Sequence, residues 1–316
     1  MYVYTSEVEI EDFLQEYQRS KVIIMTTTRA TLNRAVEFEH KFNKPFYDFT
    51  TEEALEMYKS VHAISVVTLQ NNNLVLKHAA RWFAFKKNIE VANTYEEMTK
   101  DMLNEVVDTE KQKSLILSKD DVEDIIEQLL NWTDKCIVWL LFYGVGGNLL
   151  KELTFMQWNQ VSHSDLKVYF KSGKIIDITE SAYDMLKQGF TEDELISFGE
   201  TNRIAKVRSL GLYKARCNSL SDNDNQDSKE DQERRYRWVQ RRLILISKDL
   251  GIRVTSGSLQ NSGLLYHLQQ GVKETGLEFR EFTKTKQAES LARRYDILSE
   301  EFYAQILLDK FSMYFE

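Results

Sequence analysis

A single proline, Pro45, interrupts 316 residues, and glycine is scarce at 12. Proline breaks helix interiors and glycine weakens them, so a chain poor in both and rich in Leu, Glu and Lys is biased towards helix. The expected fold class is therefore mainly α. At this length two domains are favoured over one. Hydrophobic residues at 42% supply cores for both, and 28% charged residues suit a soluble surface. The longest apolar run, Ile137 to Phe142 continuing into Tyr143 and Val145, falls far short of the ~20 residues that span a membrane. Glu7, Glu9, Glu11 and Asp12 crowd the start, so no basic-then-apolar signal peptide is expected there. A cytoplasmic protein with no membrane partner is the expectation.

Cys136 and Cys217 lie far apart in sequence, and the five histidines form no HxxxH or HxH pair. Neither a metal nor a cofactor is expected, and Cys136, in an apolar segment, reads as a buried thiol. The net charge of −8 argues, taken alone, against nucleic acid. Binding to a polyanion depends, however, on where the cations concentrate. Arg203, Lys206, Arg208, Lys214 and Arg216 form one run without an acid between them, and Arg234, Arg235, Arg237, Arg241 and Arg242 form a second. The acidic, Ser/Asn/Asp-rich stretch from Ser221 to Glu233 separates them and disfavours packing. Solvated helix faces beside a polar loop explain the same pattern equally well.

Apolar residues spaced by three and four predict helices from about Glu9 to Tyr17, from Thr27 or Thr28 through Phe38, and from Val66 to Lys86. Thr50 with Glu53, Ser118 with Asp121, and Thr191 with Glu194 have capping-box spacing. A further helix is expected from Tyr95 to Val107. Leu166, Val168 and Phe170, then Ile176 and Ile178, alternate around Lys171-Ser-Gly-Lys174 and predict a hairpin. From Arg234 onward the pattern is helical.

Three segments carry a family resemblance. Gly144-Val-Gly-Gly-Asn-Leu149-Leu-Lys-Glu152-Leu153-Thr-Phe-Met-Gln-Trp158 follows a G-x-R-x-x-E-L-x-x-L-x-W signature in its Glu152, Leu153 and Trp158. Gly257-Ser-Leu259-Gln260-Asn261, leading to Leu264, Leu265, Leu268 and Gly271, follows H-x-L-R-H. Ser290-Leu291-Ala-Arg293-Arg294-Tyr295 resembles a helix bearing a tyrosine nucleophile. In their order and spacing these resemble the active-site segments of the tyrosine recombinases, the phage-integrase family.

The resemblance implies a two-domain fold. A small helical SAM-like core-binding domain would occupy 1–107, and an integrase catalytic-like domain, helical with a small β-hairpin or sheet, would occupy 108–316. It also implies that the catalytic positions have been emptied. Leu149 stands at the first arginine, Gly257 at a histidine, Gln260 at the second arginine and Asn261 at the second histidine. Lys286, with Thr285 before it, stands at the Gly-His pair, and Lys171 or Lys174 matches the catalytic lysine. Tyr295 alone is retained without question. A leucine cannot neutralise a phosphate, and Gln or Asn offers hydrogen bonds without fixed charge. Lys151 is expected to face elsewhere on a helix.

A scaffold that holds DNA but has lost its chemistry implies a sequence-specific repressor of the phage lysogeny type, clamping an operator duplex between two domains without cutting it. Expected contacts in the first domain are Arg29 and Arg34 on one helix, beside Thr27 and Thr28, and Lys77, Arg81, Lys86 and Lys87 on another, beside His78. In the second domain they are Lys171, Lys174, Arg203, Lys206, Arg208, Arg241 and Arg242, with Gln260 and Asn261 in the old pocket. Two alternatives stay open. One is a divergent recombinase that uses Tyr295 with Lys151, Lys171 or Lys286. The other is a protein-interaction regulator that binds no DNA. A protein or peptide antagonist, the oligomeric state, and packing of Phe302, Ile306, Leu307, Phe311 and Phe315 in cis or in trans are also open.

Overall fold

A computed structural model of the chain describes residues 4–20, 25–196, 204–216, 228–297 and 301–315. It is mostly helical with small antiparallel sheets, and divides into two compact units, Met1–Ser114 and Leu115–Glu316.

The first unit contains α1 (Glu7–Ser20), α2 (Met25–Phe42), α3 (Thr51–Lys59), α4 (Val66–Lys87), α5 (Lys100–Asn104) and α6 (Thr109–Ser114). The expected capping box opens α3: the Glu53 N–H donates to Thr50 Oγ1, and the Thr50 N–H donates to Glu53 at 2.7 Å. Asn88, in the left-handed region at φ 50°, ends α4. Phe13, Leu14, Leu32, Phe46, Phe49, Tyr58, Leu69, Leu76, Phe83 and Tyr95 form the core. Glu39 is fully buried within it and accepts bonds from Thr5 N, Thr5 Oγ1 and Phe46 N, while burial raises its pKa.

Two sequence expectations need correction in this unit. The helix expected from Tyr95 to Val107 is broken into a single turn at Thr94–Glu96 and the short α5. Asn93 is left-handed at φ 37°, the Tyr95 carbonyl is taken by Asn73 Nδ2 at 2.9 Å, and Thr99 starts a new helix by capping the Met102 N–H. The unit also runs past residue 107, because the Asp108 N–H donates to Ala63 O at 2.8 Å and Lys111 Nζ donates to His62 O.

In the second unit α7 (Lys119–Gln128) and α8 (Trp132–Phe142) are followed by the one-turn α9 (Lys151–Thr154). Strands β1 (Val161–Ser162), β2 (Lys167–Tyr169) and β3 (Ile175–Asp177) form an antiparallel sheet in sequence order, with Val168 opposite both Val161 and Ile176. Next come α10 (Glu180–Thr191), β4 (Glu194–Ile196), β5 (Ile204–Leu210) and β6 (Tyr213–Arg216), the strands again antiparallel. The chain continues through α11 (Lys229–Leu250), α12 (Ser256–Thr275), α13 (Phe279–Phe282), α14 (Lys286–Arg294) and α15 (Tyr303–Phe311). The apolar α8 packs against α7, α10 and α12, so it is covered on several sides as its composition demands.

Ser118 and Asp121 cap α7 reciprocally, as their spacing predicts. Thr191 does not begin a helix. It ends α10, where its hydroxyl donates back to Lys187 O, and Glu194 opens a strand paired to β5. The strands β4 to β6 fall where the sequence showed chiefly a basic run. Helix α11 starts at Lys229 rather than at Arg234, because the Ser228 hydroxyl accepts from the Asp231 N–H and Asp231 is buried against Arg235.

Among the described residues no helix is long and apolar enough to cross a membrane, and no group of three or more His, Cys, Asp or Glu is placed to hold a metal.

Candidate functional site

The site begins where α8 ends. The Tyr143–Leu150 segment turns back sharply, with φ of 84° at Gly144, 76° at Gly147, 53° at Leu149 and 54° at Leu150. Left-handed backbone costs a side-chain-bearing residue roughly 1–2 kcal/mol, so two successive leucines there must be held by their surroundings. Leu150 is buried in the core, and the Glu152 N–H donates to Gly146 O at 3.0 Å. Leu149 thus sits on an irregular turn, and regular helix starts only at Lys151, which is exposed.

Lys174, just before β3, reaches into this turn. Its Nζ lies 2.7 Å from Glu152 Oε2, 2.8 Å from the Gly144 carbonyl and 3.4 Å from Asp296 Oδ1. Glu152 also accepts from Ser172 Oγ at 2.6 Å and from the Gly146 N–H at 3.3 Å. Asp296 Oδ2 accepts from the Gly147 N–H at 2.6 Å. Of the two candidate lysines, Lys174 is therefore the one inside the site, with its side chain 8% exposed, whereas Lys171 projects from the hairpin turn.

The remaining candidate positions are spread out. The Gln260 amide lies so close over Gly146 that a β-carbon there would sit 2.2 Å from its Nε2. Asn261 Oδ1 accepts from Lys310 Nζ of α15 at 2.6 Å, and burial lowers the Lys310 pKa. Gly257 and Lys286 lie exposed in the first turns of α12 and α14. Tyr295 is buried. Its hydroxyl donates to the Phe142 carbonyl at 2.6 Å, and burial pushes its pKa far above the ordinary phenol value.

The expected cationic contacts differ sharply in their surroundings. Arg242 is not available at the surface: it is buried and forms a bidentate pair with the fully buried Asp134, its Nε 2.7 Å from Oδ1. A helix that packs one face must bury whatever lies on that face, and Arg235 is buried likewise between the Phe155 and Tyr213 rings, paired with Asp231. In the first unit Arg29 pairs with Glu11, Arg81 with Glu96 at 2.6 Å, Lys86 with Glu16 at 2.8 Å and Lys87 with Glu9 at 3.0 Å. Arg34 donates to Ser60 O at 3.1 Å, and Lys77 is half-buried. Lys171, Lys206, Arg208 and Arg241 are exposed, with no ion pair among the described residues. Arg203 lies outside the described residues.

Lys214, from the first basic run, is buried in β6 with its Nζ on Phe190 O at 3.1 Å, and burial lowers its pKa to about 8. A lysine pKa below its unfolded value means that the folded state releases its proton first. The desolvation cost is then fully present below pH 8 and is relieved as pH rises towards 10.5. Stability of the second unit is therefore expected to gain from this group between pH 8 and 10.5. Urea midpoints of the wild type and Lys214→Met across that range check this, since the variant should lack that increment.

A family model described as the MrpR C-terminal catalytic domain matches residues 116–312 of this chain. The chain belongs to the MrpR family. This MrpR-family chain is also 24% identical over 295 residues to the SPbeta prophage-derived uncharacterized protein YopR of Bacillus subtilis (strain 168), covering 87% of this chain and 84% of that protein. Solved structures similar to it include a lambda integrase dimer bound to a COC' core site, at 14% identity over 94% of this chain and 97% of that one, with a TM-score of 0.40. Another is the Tn1549 transposon integrase in complex with circular intermediate DNA, at 12% identity over 93% and 97%, with a TM-score of 0.42.

Sequence reasoning missed two residues at the site of this MrpR-family chain. Asp296 follows the tyrosine directly and shares Lys174 with Glu152. Lys310 approaches Asn261 from far along the chain. An acid placed next to a presumed nucleophile was the available signal for Asp296. Lys310 had none, because a lone lysine in an amphipathic helix reads as a solvated edge.

Proposed function

We propose that this chain is a sequence-specific double-stranded DNA-binding repressor, of the kind that maintains phage lysogeny, built on a tyrosine-recombinase scaffold that does not cleave. The observation that carries the second half is the Tyr295 hydroxyl, buried and donating its proton to the Phe142 carbonyl. A nucleophile must present its oxygen to a phosphorus and have a base to take its proton; here the oxygen is turned into the core. Leu149 and Gln260 stand where the recombinase signature carries arginines, and Lys174, drawn into the site, is already shared by two carboxylates. Loss of a single transition-state donor typically costs ~10²–10³ in rate. Loss of the whole charge clamp leaves strand exchange without support.

For the binding half, the support is the fold's kinship with the MrpR family and a prophage-derived relative, together with exposed cations on the second unit. Free cations gain from a phosphate without giving up an acid, and their contribution falls as salt rises.

The experiment pairs genome-wide footprinting, which locates an operator, with a nicked suicide duplex carrying that operator. Binding at a defined sequence is expected to weaken steeply with salt, and no protein–DNA adduct should survive denaturing electrophoresis. An adduct that Tyr295→Phe abolishes would restore the recombinase reading. Absence of any DNA binding at low salt would leave a protein-interaction regulator.

A further inference from the structure

The turn that holds Glu152 and Asp296 has the composition of an oxyanion cradle. The N–H groups of Gly146 and Gly147 point at carboxylate oxygens 3.3 and 2.6 Å away, and Lys174 Nζ stands within 3.4 Å of both acids. The Gln260 amide lies over Gly146, and a side chain at 146 would also run into Asp296 Oδ2. Successive backbone N–H groups, a nearly buried ammonium and an amide are the donors with which proteins bind tetrahedral oxyanions. Glu152 belongs to the body of the fold: it is held by Ser172 as well, and its own N–H bonds Gly146. Asp296 comes from the loop after α14 and contributes the second carboxylate from outside.

We propose that this cradle is a latent site for an oxyanion of the phosphate class, and that Asp296 is the built-in anion that keeps it shut. In the wild type its carboxylate takes the Gly147 N–H and part of Lys174, so a DNA phosphate has to displace a tethered competitor of the same charge sign. The proposal deepens the DNA-binding reading by assigning phosphate contacts to surfaces other than the old pocket. It rests on that reading only for its DNA arm.

The test exploits the backbone. Asp296 is left-handed at φ 60°, a conformation glycine adopts at no cost, so Asp296→Gly removes the carboxylate while easing the chain. The probe is inorganic phosphate, followed through the Gly146 and Gly147 amide resonances of the full chain. In Asp296→Gly these should shift saturably, and Lys174→Gln added to it should abolish the shift; the wild type should stay silent. Asp296→Asn, which keeps an acceptor for the Gly147 N–H, should resemble the wild type more closely.

Against operator duplex, Asp296→Gly should bind roughly tenfold more tightly, the scale of one charge-assisted contact. Its affinity should fall with log salt more steeply by about 0.9, one phosphate's worth. If the glycine variant folds with a wild-type melting profile yet takes up no phosphate, the cradle is an ordinary turn and the proposal falls, whatever the wild type does with DNA. If phosphate binds but no DNA does in either protein, the cradle stands and the repressor reading falls.

Discussion

Asp134→Ala is expected to destabilise the second unit by about 3–5 kcal/mol, the usual consequence of leaving one partner of a buried ion pair without the other. Asp134 is completely buried in α8, and its two carboxylate oxygens face the Arg242 guanidinium from α11. It also accepts from Asn131 Nδ2 at 2.8 Å, and Asn131 in turn bonds both the N–H and the carbonyl of Ile196 in β4. One carboxylate therefore helps position a helix, a helix partner and a strand. Alanine would strand a guanidinium that cannot lose its proton in an apolar setting. Urea unfolding of the variant measures the loss, and a value under about 1 kcal/mol would show that water reaches Arg242 readily. The double variant Asp134→Leu with Arg242→Met should recover much of it, because it removes both charges and fills the volume.

Gly263→Ala should be nearly as damaging, for a steric reason. Helices α8 and α12 meet so closely that a β-carbon at 263 would lie 1.6 Å from the Phe142 carbonyl oxygen and 2.7 Å from the Tyr295 hydroxyl. No rotamer change relieves a clash with backbone, so α12 has to move away from α8. Overpacking of this kind typically costs about 1–3 kcal/mol, and this position belongs at or above the upper end. The same substitution six residues earlier in α12 supplies the control. Gly257 is exposed in α12 with nothing near its missing β-carbon, so Gly257→Ala should stabilise by about 0.5 kcal/mol through helix propensity alone. Thermal melts of the two variants should move in opposite directions. Equal shifts would mean that α12 is free to slide on α8.

Helix ends and types were legible where local chemistry decides them. Thr50 with Glu53 and Ser118 with Asp121 cap as their spacing demands, and the alternation around Lys171 to Lys174 forms its hairpin. Thr191 with Glu194 shows the limit, since the same spacing closes a helix and opens a strand when tertiary pairing with β5 is available. Cations were the hardest residues to place. Arg235, Val239, Arg242 and Ile246 follow one another at steps of four, three and four, and all are buried, while Arg237 and Arg241 between them are exposed. Helical periodicity thus carried the distinction that counting positive charges obscured. Asp134, a lone acid in the apolar stretch Trp132 to Phe142, was the matching signal for a buried partner. The strands β4 to β6 were hidden because Lys214 points inward while Lys206 and Arg208 point outward, so charge marks neither face. The site itself was legible only as the three segments that surround it, and not in the contacts that Lys174, Glu152 and Asp296 make there. Asp296 meets Lys174 across 122 residues, a separation that no local pattern encodes.

The acids that hold Arg29, Arg81, Lys86 and Lys87 in the first unit have a consequence for recognition. Were the first unit to meet DNA as proposed, each would be a partner exchange: a phosphate taking the cation would release a glutamate to water and leave the net number of ion pairs unchanged. Such exchanges add little to overall attraction, yet they make each contact conditional on geometry good enough to outcompete the resident acid. On the proposed DNA-binding reading, a surface of this kind would reject approximate fits to arbitrary duplex more strongly than a field of free lysines, and in a chain of net charge −8 it would trade general stickiness for discrimination.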